Sequence, residues 1–543
     1  MAAPTRTPVV VVGGGPVGLV LALLLDHHGV ACTVVNDGDG PTTTPRGSTH
    51  GARTMEHYRR LGLAEAVRRL GLPADHPTDV VYHTRYTGFE LARLRMPSAL
   101  DKRAAVRDAP ATDQVPEPLH RANQRYVERL LFAAAGARPG ITLRFGHRAT
   151  GLAQDADGVT THTDGGDLRS AYVVGCDGGQ GVVRAALGVR YRGSGAVDQA
   201  ILGRRAVAAH LRVPGLAAVF ARAGAGWSHW SLNHEVVTNL ISLDGAAEFF
   251  LLTSSTDRDG VPGLVRRAAG APVRVDVLGT REWTPGQALV AERFSDRRVL
   301  LAGDAAHLFT PTGGFGMNTG VDDAANLAWK LAAAVAGWAG PGLVDSYAAE
   351  RVPIAVRNTA AARALNKNLA DVRPCTEMEL DTESGRRERA RIGHQLADFG
   401  EQFASIGVQL GARYDGSPIV AEDGTPPPDS AVDYTPSSVP GGRAPHAWLR
   451  AGHGPGDSLF DHFGPGFTLL LLGSTPHTGA GLRAAATALG VPLEVVEVPD
   501  PHVRDAYCRD LVLIRPDQHV AWRGNREPAD PHAVLARAVG HGE

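Results

Sequence analysis

Asp304 and the glycines that follow it are the residues of this chain best placed to do chemistry with a large ligand. Across Leu300–Ala334 an apolar stretch ends in Gly303-Asp304, a short loop carries Pro311, Gly313, Gly314 and Gly316, and an apolar-striped helix begins. An acid at a strand end can accept a hydrogen bond from a sugar or polyol hydroxyl, at the place where open α/β sheets receive ligands. Gly313-Gly314-Phe315-Gly316-Met317-Asn318 lets backbone N–H groups approach a flat ring, and the helix start behind it favours negative charge. No lysine follows, as it would in a Walker phosphate loop. Ala324, Leu327, Leu331 and Val335, three and four apart, turn one face of that helix to the core.

A second such construction opens the chain. Val9–Val12 is a β-branched run expected of a strand buried on both faces. Gly13, Gly15, Pro16, Val17 and Gly18 follow as G-x-G-x-x-G, with a buried helix over Leu19–Leu25 and a second strand over Ala31–Val35. The first glycine allows the tight turn, the second lets the backbone approach a pyrophosphate, and the third allows close helix–strand packing. Unpaired N–H groups at the helix start favour the phosphates. The acid usual at the end of the second strand is replaced by Asn36, which can still hydrogen-bond a ribose; a flavin dinucleotide is expected here rather than NAD. One convincing fingerprint is present, so a nicotinamide is either unused or bound transiently without a domain of its own. A third segment, Cys176-Asp177-Gly178 with Arg184 a turn on, has meaning only alongside the other two.

The remaining sequence sets bounds. Its 543 residues imply more than one domain, and 55 Lys and Arg against 57 Asp and Glu exclude the charge excess of a nucleic-acid binder. Four scattered cysteines without C-x-x-C indicate neither a disulfide framework nor a zinc site. Neither a signal peptide nor a membrane helix is read, so a cytoplasmic protein is expected. The elements divide into a discontinuous nucleotide-binding domain (1–80, 111–190 and 291–375), a substrate-binding β-sheet domain (81–110 and 191–290), a helical connector (376–412), a Pro- and Gly-rich linker (413–445) and a small α/β tail (446–543). Residues 81–110 read as extended and 198–290 as β throughout.

The three nucleotide-facing segments, in this order and spacing, resemble the para-hydroxybenzoate hydroxylase-like FAD-dependent aromatic monooxygenases. TPRGSTHGARTMEHYRRLGL is most similar to the phenol and chlorophenol hydroxylase branch, which includes polyketide hydroxylases of antibiotic biosynthesis; PGGRAPHAWL and RPDQHVAWR resemble that branch's thioredoxin-like C-terminal domain. The resemblance implies an α/β fold: a Rossmann-like FAD-binding domain of the glutathione reductase type, an inserted β-sheet substrate domain and a thioredoxin-like tail. It implies FAD held by Gly13, Gly15 and Gly18 at the pyrophosphate, with Arg46 near the phosphates or the mobile ring and Gln124 on its helix. Asp177 is placed on the nicotinamide path and Asp304 on the sugar or ribityl chain. Pro311, Gly314, Gly316, Met317 and Asn318 are placed along the isoalloxazine. It further implies NADPH or NADH as transient co-substrate, O2, and hydroxylation of a phenolic or polyketide-type ring through a flavin C4a-hydroperoxide. Without C-x-x-C the tail cannot run dithiol exchange, which leaves a structural or oligomerising role, a homodimer among the options.

Substrate contacts are expected from the inserted sheet. In WSHWSLNHE, Trp227, Trp230 and His234 could stack on a ring and deprotonate a phenol, with Trp230 and His234 on one strand face and His229 on the other. Ordinary packing with surface histidines is the competing interpretation, and no catalytic base is assigned. A flavin halogenase is disfavoured, because no Trp-x-Trp-x-Ile-Pro segment is present. A Baeyer–Villiger-type oxygenase on the same fold and a non-catalytic flavin-sequestering protein stay open.

Overall fold

Hydrophobic strands of one direction, each buried on both faces, organise the first part of the chain. Thr5–Val12 lies centrally in a parallel array, with Cys32–Asn36 and then Ile141–Phe145 on one side, Leu168–Gly175 and then Val299–Leu301 on the other. Val9, Val10 and Val11 are wholly buried, as the β-branched run requires. The helix Pro16–His27 packs against Gln124–Gly136 and against the 22-residue helix Phe315–Ala336. This is the Rossmann-like architecture expected. The structure is a computed structural model that describes residues 4–109, 115–194, 206–283, 287–367, 372–397, 405–449, 457–473 and 479–542. Parts of the expected substrate domain (195–205 and 284–286) and helical connector (398–404) therefore lie outside the described residues. Among the described residues no helix is long and apolar enough to cross a membrane.

The second sheet has seven strands, in the order Asp276–Trp283, Ala206–Arg212, Glu248–Thr253, Val237–Ser242, Ser228–Leu232, Val80–His83 and Glu90–Leu94. Two corrections belong here. Residues 81–110 are not extended throughout: Ala99–Asp108 is a helix, started by a capping box in which Ser98 Oγ accepts from Asp101 N (3.1 Å) and Asp101 accepts from Ser98 N (3.2 Å). Nor is 198–290 β throughout, because the helices Gly215–Ala223 and Val261–Ala269 cover one face of the sheet around Phe220, Leu216 and Val265. Both helices are short and Ala-rich, with a glycine or Pro-Gly at the start that mimics a turn.

The tail forms a four-stranded sheet ordered Leu493–Glu497, Phe467–Leu471, Leu511–Ile514, Val520–Gly524, the first pair parallel and the others antiparallel, flanked by Ala480–Leu489, Pro501–Tyr507 and Pro531–Ala538. This is a thioredoxin-like arrangement. Residues 413–445 have little regular structure, yet Ser438 and Arg443 are buried, and Gly441 N donates to Val520 O (2.8 Å) across to the tail.

A buried ionic network joins this tail to the first sheet's helices. Arg515 donates to Glu350 (2.6 and 2.9 Å) and Asp517 (2.6 Å), and Lys330 also reaches Glu350 (2.6 Å). Arg351 holds Asp322 (2.6 Å) and Asp323 (2.8 Å), while Arg443 and Arg53 converge on Glu56. The five cations Arg53, Lys330, Arg351, Arg443 and Arg515 are thus matched by five carboxylates, Glu56, Asp322, Asp323, Glu350 and Asp517, all of them buried.

Candidate active site

Parallel strands end on one edge, so Gly13, Cys176-Asp177 and Gly303-Asp304 meet although some 290 residues separate the first from the last. Gly13, Cys176, Asp177 and Asp304 line one cavity of about 940 Å³. That volume is at the upper end of small-molecule sites, about 300–1,000 Å³. Of the fifteen cofactor residues expected from the sequence, Gly13, Gly15, Pro16, Val17, Asn36, Arg46, Gln124, Asp177, Asp304, Pro311, Gly314, Gly316 and Met317 are brought to this cavity. Gly18 and Asn318 are not.

Each glycine of the first turn has a separate reason. Gly13 has φ +111°, and an added Cβ would collide with the Cys176 carbonyl. Gly18 lies behind the cavity, where a Cβ would strike the Gly13 carbonyl; its place is helix–strand packing. At Gly15 a Cβ would meet nothing within 4 Å, because that position faces open cavity. The helix that starts at Pro16 has no side-chain cap and no acid in its first turn, so its N–H groups are free for an anion. Asn36 is already engaged: its Oδ1 accepts from Gly14 N (2.9 Å) and its Nδ2 donates to Gly38 O (3.3 Å), which braces the turn.

The bend after residue 303 is held from behind. Asp323, fully buried, accepts from Gly303 N (3.1 Å) and lies 2.6 Å from His307 Nε2, with Arg351 on its other oxygen. Burial alone would raise its carboxyl, but His307 and Arg351 hold it below the usual carboxylate range. Asn318 spends its whole amide on the scaffold. Its Nδ2 donates to Gly314 O (2.6 Å) and Thr49 O (3.0 Å), and its Oδ1 accepts from Gly51 N (2.8 Å) and Thr54 Oγ1 (2.6 Å). Gly313 (φ +81°) and Gly314 (φ +68°) take left-handed turns, and the helix from Phe315 starts without a side-chain cap. Its first N–H groups therefore face the cavity unpaired, a fit to the anionic edge of a ring.

Asp304 opens into the cavity while protein surrounds it; burial pushes its carboxyl above the usual range, with His307 and Arg46 opposing. Asp177 is also pushed up by burial. Its Oδ2 accepts from Val183 N (2.9 Å), and its buried Oδ1 has no partner among the described residues. Arg184 does not reach a ligand: it donates to Val189 O (2.8 Å) and Gly179 O (3.1 Å) and lies over Tyr191 (4.2 Å), whose hydroxyl donates to Asp304 O (2.6 Å). Glu128, missed in the sequence, lines the cavity and accepts from Thr42 N (2.7 Å). Its signal was there: four residues after Gln124, it shares that helix face. An orphaned carboxylate oxygen, two uncapped helix starts and a backbone cradle opening at Gly15 together fit an extended flavin dinucleotide.

The three expected substrate residues lie apart from this cavity. Trp230 packs on Tyr82 (5.9 Å between ring centres), and Trp227 sits under the Arg121 guanidinium (3.9 Å). His234 lies beyond the strand end and is partly exposed, paired with Glu379 (3.1 Å). His229 points to the opposite face, stacked on Phe220 (3.6 Å), and burial lowers its pKa to about 3.

The chain matches two family models, the FAD binding domain over residues 6–362 and the C-terminal domain of aromatic-ring hydroxylases over 437–542. It is 32% identical to tetracenomycin B2 monooxygenase-dioxygenase of Streptomyces olivaceus, over 97% of both chains. It is 30% identical to 2,4-dichlorophenol 6-monooxygenase of Delftia acidovorans, over 96% of this chain and 95% of that one. Among solved structures it is similar to RebC with bound 7-carboxy-K252c, at TM-score 0.88 and 36% identity, over 99% of this chain and all of the other.

Proposed function

Because the chain belongs to the FAD-dependent aromatic-ring monooxygenases, we propose that it uses NAD(P)H and O2 to hydroxylate a phenolic or polyketide-type aromatic ring. The observation that carries the proposal is the single cavity built from the Gly15 turn, Asp177 and the 303–317 bend. When bound, FAD would supply the redox chemistry, hydride acceptance from the nicotinamide and transfer of one oxygen atom of O2 to the ring with the other leaving as water.

The chain's own residues do the rest. Gly15 and Val17 would hold the diphosphate with backbone N–H groups, Pro16 would fix the helix start between them, and Asn36, Gln124 and Glu128 would wall the adenosine side. Asp304 would accept from a ribityl hydroxyl. Gly316 and Met317 would offer N–H groups to the anionic edge of the ring head, with Pro311 closing its reacting face. Arg46 and Asp177 would flank the path of the ring and the nicotinamide. Gly18 and Asn318 would shape the site from behind. Trp227 and Trp230 belong to the proposed substrate sheet, whereas the pairing of His234 with Glu379 favours a surface role for it. This reading divides the chain as expected from sequence, with the nucleotide domain discontinuous around the substrate sheet, and places a homodimer in the cytoplasm. One relative is a monooxygenase of 2,4-dichlorophenol and another binds 7-carboxy-K252c, which supports an aromatic substrate class.

The test is aerobic NAD(P)H oxidation with and without a panel of phenols and polycyclic phenols, followed by mass spectrometry of products formed under labelled dioxygen. Substrate-stimulated oxidation with one labelled oxygen in the product is expected. Retained flavin that no nicotinamide reduces would refute the proposal.

A further inference from the structure

A second cavity, of about 540 Å³, shares no lining residue with the cofactor cavity among the described residues. Its walls come from the strands Tyr191–Ser194 and Ala288–Ala291 and from the helix Ser346–Lys367. The two strands belong to a three-stranded sheet completed by His307–Leu308. Leu289 lies opposite Leu308, which lines the cofactor cavity, and Val290 lies opposite His307. Successive residues of a strand point to opposite faces, so Ala288 and Val290 look away from Leu308 and toward the helix. The second cavity is therefore set off from the first by the thickness of one small sheet.

Val356, Thr359, Ala360 and Arg363 are spaced three and four apart, so one face of the helix turns all of them to this cavity. Val356 is left 55% exposed there, and Ala288 and Ala360 are too small to fill the space. The polar groups at the walls are all donors. Arg363 has no carboxylate partner among the described residues. Arg192 reaches Glu292 (3.0 Å) but shares it with Arg190 (3.9 Å), at an exposed rim where such pairing is weak. Thr359 is buried, and its hydroxyl has no partner among the described residues, not even the carbonyl one turn back that a helical threonine ordinarily finds. No acid lines the cavity. Apolar walls with a few converging polar groups, in a volume of about 300–1,000 Å³, are the pattern of a small-molecule site. Two guanidiniums and a hydroxyl make it a site for an anion.

We propose that this cavity is a second ligand site, which takes an apolar carboxylic acid with its carboxylate at Arg363 and Arg192 and its apolar body along Val290, Val356 and Ala360. The ligand held there does not meet the flavin, so the inference goes beyond the monooxygenase reading and does not depend on it.

The test titrates the FAD-loaded protein calorimetrically with 2-anthracenecarboxylate and with octanoate, each beside its neutral amide. At least one acid should bind, about ten- to a hundredfold tighter than its amide, as one charge-assisted contact provides. The ring and acyl arms decide which kind of body the groove accepts. Arg363→Met should remove most of the preference for the acid. Ala360→Trp, which fills the groove from an exposed helix position, should abolish binding. Both variants should keep the parent's FAD affinity and melting temperature. Should Ala360→Trp melt early, Arg192→Met combined with Arg363→Met decides in its place. An acid bound on the cofactor side of the sheet would be indifferent to all of these changes. Binding that survives them, equal affinity for acid and amide, or no binding of either acid would overturn the proposal. Reduction of the flavin by NAD(P)H is scored separately, so the monooxygenase reading stands or falls on its own assay.

Discussion

Replacing Asp323 by Asn separates what the buried network does for the fold from what it does for the cofactor. Asp323 holds the Gly303 amide at 3.1 Å, His307 at 2.6 Å and Arg351 at 2.8 Å, and none of these groups can reach water. An amide there keeps the shape but turns a donor toward a donor and leaves Arg351 with Asp322 alone. Removing one partner of a buried pair costs about 3–5 kcal/mol. With a urea slope near 3 kcal/mol per molar, that is a midpoint lowered by about 1 M or more. Glu350→Gln is the matched control. It disrupts the same network, at Arg515 and Lys330, but touches no part of the 303–317 bend. Both variants should lose comparable stability. Only Asp323→Asn should also lose FAD affinity at 0 M urea, by about tenfold for one weakened backbone hydrogen bond beside Asp304. The readouts are urea unfolding followed by near-UV circular dichroism, and flavin titration by fluorescence quenching. If Asp323→Asn binds FAD as the parent does, or if Glu350→Gln loosens it equally, the local link from Asp323 to the cofactor bend is wrong.

Asp304→Ala should remain folded and lose its yellow colour on gel filtration; full visible absorbance in that variant removes Asp304 from the site. Gly15→Val and Gly13→Ala should diverge. At Gly15 the added atoms enter the cavity, so the protein melts as before but binds FAD at least tenfold more weakly; at Gly13 they meet the Cys176 backbone, so thermal stability itself falls by about 1–3 kcal/mol. Acid should loosen the junction between the tail and the helices. Burial would raise the Glu350 carboxyl, but Arg515 and Lys330 bring it down to about 2 from 4.5, so its stabilisation is complete above the unfolded value and is lost as pH falls from about 4.5 toward 2. Limited proteolysis between pH 5 and 2.5 should show cleavage appearing first near residue 430; equal resistance across that range contradicts the assignment.

Much of the nucleotide site could be read from the sequence because its logic is local. A β-branched run, a glycine turn and an apolar helix are contiguous, and parallel strands then bring separate copies of that unit to one edge. Glycine roles at 13, 15 and 18 followed from elementary sterics. What the sequence could not reveal depends on distance along the chain. Arg515 meets Glu350 across 165 positions, and only the fold pairs them. The adjacent acids Asp322-Asp323 and Lys330, set inside an apolar helix, signalled that buried charges needed partners without saying which. The side-chain amide of Asn318 ties the bend to Thr49 and Gly51, a bracing role that sequence alone does not show because both partners lie some 270 positions away. One face of the second sheet needed strand register: Arg281 and Trp230 are 51 positions apart in sequence and share that face, four strands apart, only through the pairings at Ala208, Leu252 and Asn239.

The buried ionic network bears on why the tail is retained without redox cysteines. Cys508 stands alone on the surface, so thiol exchange is not its work. The tail and the segment before it instead supply Arg443, Arg515 and Asp517, three of the ten charges that close the dry network behind the helix Phe315–Ala336. Take these away and Glu56 and Glu350 become buried carboxylates with too few counter-ions, on helices packed against the one that follows the cofactor bend. In this network the partner of each charge is the protein itself, fixed at folding, so the tail serves as a permanent brace behind the bend.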